Sequence, residues 1–128
     1  MQSDAPLQVF LADDSALIRS RVTALLGAVH AVIVGEAATP GAAIQGILAS
    51  RPDVVVLDVQ LEGGAGLEVL RAVRQTAPAI PFVVFTSHSG HEYRKRYLGE
   101  GACAFLDKSA EFELLAHAVA AAARQQIH

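Results

Sequence analysis

Short, wholly apolar runs alternate with longer amphipathic stretches along this chain. Val9-Phe10-Leu11-Ala12, Val32-Ile33-Val34, Val54-Val55-Val56-Leu57, Phe82-Val83-Val84-Phe85 and Cys103-Ala104-Phe105-Leu106 are each three or four residues long and rich in β-branched or aromatic side chains. Runs of that length and type predict buried strands. Between them, apolar residues return at helical spacing. Ser15 to Leu26 places Leu17/Ile18, Val22 and Leu25/Leu26 on one stripe. Thr39-Pro40 reads as a cap and first helical position, opening a helix to Ser50. Leu67 to Thr76 is the third helix, after a Gly63-Gly64 loop, and Pro78 and Pro81 separate it from the fourth strand. The polar segment His88 to Glu100 contains a fourth helix. Glu111 to Gln126 closes the chain, with Phe112, Leu114/Leu115, Val119 and Ala122/Ala123 on its apolar side. A strand-helix pair repeated five times specifies a parallel sheet covered by helices on both faces, joined by right-handed crossovers.

Composition narrows the class. The 128 residues, 52% apolar and 18% charged, make one domain, 1–128, with enough apolar material for one core. No apolar run approaches the length of a membrane span. The start, Met1 to Pro6, is polar and carries Asp4, unlike a secretory signal. A single cysteine, Cys103, forms no internal disulfide, which suits the cytoplasm; it reads as a small core residue. A net charge of −3 argues against direct nucleic-acid binding.

In open parallel sheets, ligands bind beyond the C-terminal ends of the strands. Here the first strand ends in Asp13 and Asp14, the third in Asp58, the fourth in Thr86 and Ser87, and the fifth in Lys108, after Asp107. Taken singly, each has an ordinary use: Asp turns chains, Asp14-Ser15 could cap a helix, and Lys108 could be a solvated charge. Together they bring three carboxylates to one rim. Each like-charge pair at ~4 Å costs on the order of 4 kcal/mol at an effective dielectric of ~20. Lys108 supplies one compensating charge, and a hard divalent cation would supply two. The oxygen donors suit Mg²⁺ or Mn²⁺, leaving one carboxylate as the reactive group.

Leu11-Ala12-Asp13-Asp14-Ser15, Val56-Leu57-Asp58-Val59, Val84-Phe85-Thr86-Ser87 and Phe105-Leu106-Asp107-Lys108 resemble the four signature blocks of the receiver domain of two-component response regulators. The resemblance covers nearly the whole chain. It implies a flavodoxin-like, doubly wound α/β fold with strand order 2-1-3-4-5. It implies a phosphoacceptor at Asp58, charged from the phosphohistidine of a sensor histidine kinase or phosphotransfer protein. Asp13, Asp14, Asp58 and the Gln60 backbone carbonyl match the metal ligands. Lys108 matches the lysine that binds phosphoryl oxygens, Thr86 and Ser87 stand at the switch-hydroxyl position, and Phe105 stands at the aromatic switch that turns inward. The implied product is a signal to a downstream effector protein, with no chemistry on other substrates, nucleic acid or membrane.

Some positions depart from that pattern. Ser109 stands where relatives usually carry proline, and a non-proline cis bond at Lys108-Ser109 would cost ~3 kcal/mol. Glu62 replaces a usual proline, so the loop after Asp58 is expected to be looser. Phe105 lacks the hydroxyl of the commoner tyrosine. Gln60 and His88 occupy positions that tune phosphate loss in relatives. These departures leave two other readings: a pseudo-receiver that binds a partner without phosphorylation, and a receiver fragment of a larger DNA-binding regulator. A flavin protein would need a hydroxyl- and glycine-rich loop after the first strand. An aspartate-dependent phosphohydrolase would need an acid where Gln60 stands. His88 and His91 make a poor metal pair, and Tyr93-Arg94-Lys95-Arg96-Tyr97 reads as a solvated or docking helix face.

Overall fold

The computed structural model describes residues 5–125. Asp4 and Gln126, assigned above to the polar start and the last helix, lie outside the described residues. Five parallel strands form the main sheet: β1 (Leu7–Ala12), β2 (Ala31–Ala37), β3 (Val54–Leu57), β4 (Phe82–Thr86) and β5 (Ala104–Asp107). Their order is β2-β1-β3-β4-β5, as expected. The helices are α1 (Ala16–Leu26), α2 (Pro40–Ser50), α3 (Gly66–Thr76), α4 (His91–Gly99) and α5 (Leu115–Gln125).

The central strands are apolar throughout because both of their faces are covered. Alternate residues along β3 enter opposite cores. Val55 and Leu57 join Phe10, Ile47, Leu70, Val84 and Phe105 beneath α2, α3 and α4. Val54 and Val56 join Leu11, Val22, Val83, Leu115 and Val119 beneath α1 and α5. Burying each such side chain contributes roughly 1.5–3 kcal/mol. β2 is an edge strand, and its alternation of half-buried and exposed residues follows from that position. The Phe10 ring fills a slot between β2 and α2, made by two residues with no side chain. A Cβ on Gly35 or on Gly46 would lie 2.6 Å from that ring.

Local signals account for most boundaries. The Thr39 hydroxyl accepts from Ala42 N at 3.3 Å, with Pro40 at the first helical position, as the sequence predicts. α1 is capped by Ser15, whose hydroxyl accepts from Ile18 N, and not by Asp14. β1 and β2 run longer than their apolar runs, over Leu7–Ala12 and Ala31–Ala37, and the starts of α5 and β5 also differ. α5 begins at Leu115 after a short 3₁₀ turn over Phe112–Leu114, because Glu111 closes a hydrogen-bonded turn onto Asp107 first. β5 begins one residue late, so Cys103 is exposed and not a core residue. Only its backbone meets the sheet edge, donating to Phe82 O at 2.8 Å.

The loop after β3, where the sequence suggests looseness, carries paired backbone. Gln60–Leu61 and Gly64–Ala65 pair as a small antiparallel ribbon. Gly63, at φ 80, takes the turn position that a side chain disfavours. The described residues contain no cis peptide bond, so Lys108-Ser109 is trans.

Candidate functional site

Backbone hydrogen bonds that extend the sheet by one residue place the site. Asp13 N donates to Ala37 O, Asp58 N to Ala12 O and Lys108 N to Thr86 O, at 3.0, 2.9 and 3.0 Å. β1, β3 and β5 therefore release their first loop residues at one rim. The carboxylates of Asp13, Asp14 and Asp58 offer oxygens all within 4.8 Å of one another. Asp13 and Asp58 are buried, whereas Asp14 is exposed. Lys108 Nζ bridges the two buried acids, 2.7 Å from Asp13 Oδ2 and 2.9 Å from Asp58 Oδ2. The sequence-predicted trio and its ammonium are thus brought together.

A crevice of about 440 Å³ opens over them, lined by Asp14, Ser15, Ile18, Asp58, Gln60, Ser87, His88 and Lys108. Gln60 N approaches Asp58 Oδ1 at 3.5 Å, and Gln60 itself is exposed at the crevice edge. Thr86 is fully buried, with its hydroxyl accepting from His88 N at 3.0 Å. Ser87 is exposed. Phe105 is not at the crevice. Its ring is already inside the core, 6.2 Å from that of Tyr97. Among the described residues, the aspartate trio is the group able to hold a metal, and His88 and His91 join no such cluster. Of the basic run on α4, Arg94 is tied to Phe105 O at 2.9 Å.

Three contributors escaped the sequence reading. Arg19 Nη1 donates to Asp13 O at 2.6 Å while its Nε holds Glu36 at 2.8 Å, fixing the Asp13 backbone. Its position one turn after Ser15 was the available signal. Gly66 passes so close to the Asp58 carbonyl that a Cβ would lie 2.1 Å from the oxygen. Tyr97 OH reaches Val59 O, 3.5 Å away, from α4.

Burial raises the Asp13 carboxyl above its ordinary value, although Lys108 and Ser15 N both donate to it. Burial works against the Lys108 ammonium, but its bonds to Asp13 and Asp58 outweigh this and raise its pKa. Burial likewise pushes the Tyr97 phenol up to about 12. All three shifts have the same consequence. A folded-state pKa above the unfolded value gives stability that is full below the unfolded value and is lost as pH rises. For Tyr97 the loss begins near 10.0 and runs toward 12. Thermal melts between pH 9 and 12 test this, since Tyr97→Phe should abolish about 2 kcal/mol of the alkaline loss at a neutral-pH cost of ~0.5 kcal/mol for the long hydrogen bond. An unchanged alkaline profile in that variant would refute it.

Chemically, the rim offers hard oxygen donors, a fixed ammonium and a buried carboxylate facing an open crevice. That donor set fits Mg²⁺ better than any softer metal. Comparison with known proteins identifies the family. Residues 9–120 match the model of the response regulator receiver domain. The chain is 35% identical over 114 residues to the DNA-binding transcriptional activator DevR/DosR of Mycobacterium tuberculosis, covering 88% of this chain and 52% of that protein. It is 34% identical over 107 residues to a protein-glutamate methylesterase/protein-glutamine glutaminase of Nocardioides sp., covering 81% of this chain and 29% of the relative. The chain therefore spans about half, or less, of the curated relatives it matches. A two-component response regulator of the LuxR family from Aurantimonas sp. superposes with a TM-score of 0.88 at 29% identity, over 94% of this chain and 86% of that one. No described helix is long and apolar enough to cross a membrane. The chain belongs to the response regulator receiver domain family.

Proposed function

We propose that residues 1–128 act as one phosphoacceptor module, in which Asp58 takes a phosphoryl group from the phosphohistidine of a sensor histidine kinase or phosphotransfer protein. An Asp58 carboxylate oxygen forms a bond to phosphorus as the phosphorus–nitrogen bond of the donor breaks. The observation that carries this reading is the convergence of Asp13, Asp14 and Asp58 on one rim, with Lys108 bound to two of them. Asp13, Asp14, Asp58 and the Gln60 carbonyl would hold Mg²⁺. When bound, the ion neutralises charge on the phosphoryl oxygens and orients them. The protein's own groups do the rest. Lys108 fixes the Asp58 rotamer through Oδ2 and then binds the transferred group. Phosphoryl transfer depends chiefly on such positioning and charge neutralisation.

Thr86 then turns its hydroxyl from His88 N to the new phosphate, and Ser87 lies beside the same crevice. The added charge reorders the β4–α4 loop and the surface around α4 and β5, which a downstream effector protein reads. Phe105, already inward, holds that rearrangement from the core side. The module transforms no substrate other than its own phosphate, and it works in the cytoplasm.

The test is intact mass after incubation with acetyl phosphate and Mg²⁺. The wild-type chain should gain one phosphoryl group, and Asp58→Asn should gain none. A wild-type chain that takes up no phosphoryl group, with a melting temperature flat across millimolar Mg²⁺, would overturn the reading. It would point instead to a protein-interaction module that works without phosphorylation.

A further inference from the structure

The turn that follows β5 carries a hydrogen-bond pattern that phosphoryl transfer itself does not use. β5 ends at Asp107, paired in the sheet with Thr86. Asp107 Oδ1 accepts from Ser109 N at 2.8 Å, Ser109 Oγ at 2.6 Å and Ala110 N at 2.9 Å. Asp107 Oδ2 accepts from Ser89 Oγ, which arrives from the loop between β4 and α4. The backbone is closed as well: Asp107 N donates to Glu111 Oε1 at 3.0 Å, and Glu111 N donates back to Asp107 O at 2.8 Å.

Lys108 sits inside this frame. Its chain neighbours on both sides are fixed by one carboxylate, and its own N–H is held by Thr86 O. A lysine is a point charge on a flexible four-carbon stem, so its aim is only as good as the anchoring of its base. A proline after this lysine would stiffen the turn from within the backbone. Ser109 cannot, and the Asp107 side chain stiffens the turn from outside. The many donors around it hold the Asp107 carboxyl well below the usual carboxylate range, so the acceptor stays charged at neutral pH.

We propose that Asp107 is a positioning residue: it fixes the turn that aims Lys108 at Asp13 and Asp58, and through Ser89 it ties that aim to the loop following Thr86. The inference rests on the phosphoacceptor reading and deepens it. Asp107 itself touches neither the phosphoryl group nor the metal ligands. Its effect should run entirely through Lys108, which a double-mutant cycle can measure.

The experiment follows initial rates of phosphoryl uptake from acetyl phosphate with Mg²⁺ on the full chain. Asp107→Ala should slow uptake by about tenfold, and Lys108→Ala by more, with the double variant no slower than Lys108→Ala alone. Asp107→Asn, which keeps a carbonyl acceptor for the turn, should recover most of the rate. Should circular dichroism show Asp107→Ala to be unfolded, Ser89→Ala with Ser109→Ala replaces it in the same cycle, stripping two hydroxyl donors and slowing uptake by about threefold. A wild-type rate in the Asp107-side variant, or equal slowing with and without Lys108, would overturn the inference while leaving the phosphoacceptor reading intact. No uptake by the wild-type chain would remove both.

Discussion

Lys108→Ala will lower the stability of this protein by about 3 kcal/mol at neutral pH without Mg²⁺, and added Mg²⁺ will restore most of the loss. The ammonium lies within 2.9 Å of two buried carboxylates. Removing one partner of a buried pair leaves charge that neither water nor protein compensates, which costs roughly 3–5 kcal/mol. The exposed rim lets in some solvent and sets the effect at the low end of that range. For a domain of this size the melting temperature should fall by roughly 10 °C. A divalent cation on Asp13, Asp14 and Asp58 replaces the missing charge, and a ligand at ~100 times its dissociation constant adds about 2.7 kcal/mol. Acid should narrow the gap too. Burial already holds the Asp13 carboxyl above its ordinary value, and without the Lys108 ammonium its folded-state pKa rises further. Stability then falls as pH climbs through that window and recovers as pH drops below ~5. Melting curves of both proteins at pH 5 and 7, with and without Mg²⁺, are decisive. A variant as stable as the wild type in metal-free buffer at pH 7 would show that Lys108 does not neutralise this pair.

The sheet and the charged rim were readable in the sequence for one shared reason. Strands buried on both faces must be apolar throughout, so Val54 to Leu57 stands out as a run, and polar residues resume only where a strand leaves the core. Asp13, Asp58 and Lys108 are those first residues, and the parallel topology sends all three to the same side. What the sequence hides is contact between segments far apart in the chain. Asp107 looks like part of the Lys108 block, but its role depends on Ser89, 18 residues earlier, in a loop with no periodicity. Arg19 reads as surface on a helix until the fold brings Glu36 and the Asp13 carbonyl to it. Cys103 was misplaced because an apolar run does not mark the residue at which pairing starts. Here pairing begins at Ala104, so the cysteine side chain stays outside the core. Phe105, which the resemblance places at the aromatic switch, lies in the core beside Tyr97, a neighbour from α4 that its own strand does not announce.

Gly66→Ala should damage the site more than any other single-methyl change. Gly63 and Gly101 serve turns through positive φ, but Gly66 opens α3 with no such requirement; what it lacks is room. An added Cβ would sit 2.1 Å from the Asp58 carbonyl oxygen, and the Gly66 N–H is already committed to Val59 O at 2.7 Å. The obstructing atom is backbone, so no side chain can swing away. Either the start of α3 or the Asp58 peptide must shift, and both are pinned by the sheet and the buried core. Overpacking of this kind costs about 3 kcal/mol. Displacing a nucleophile by even ~1 Å can slow a reaction about 100-fold. Gly63→Ala is the matched control. Its φ of 80 strains any side chain, yet nothing lies within 4 Å of the new methyl, so it should cost about 1 kcal/mol without moving Asp58. Rates of phosphoryl uptake at a temperature where both variants are folded separate the two effects. If Gly66→Ala transferred phosphate as fast as Gly63→Ala, the close approach of α3 to the Asp58 backbone would play no part in holding the acceptor in place.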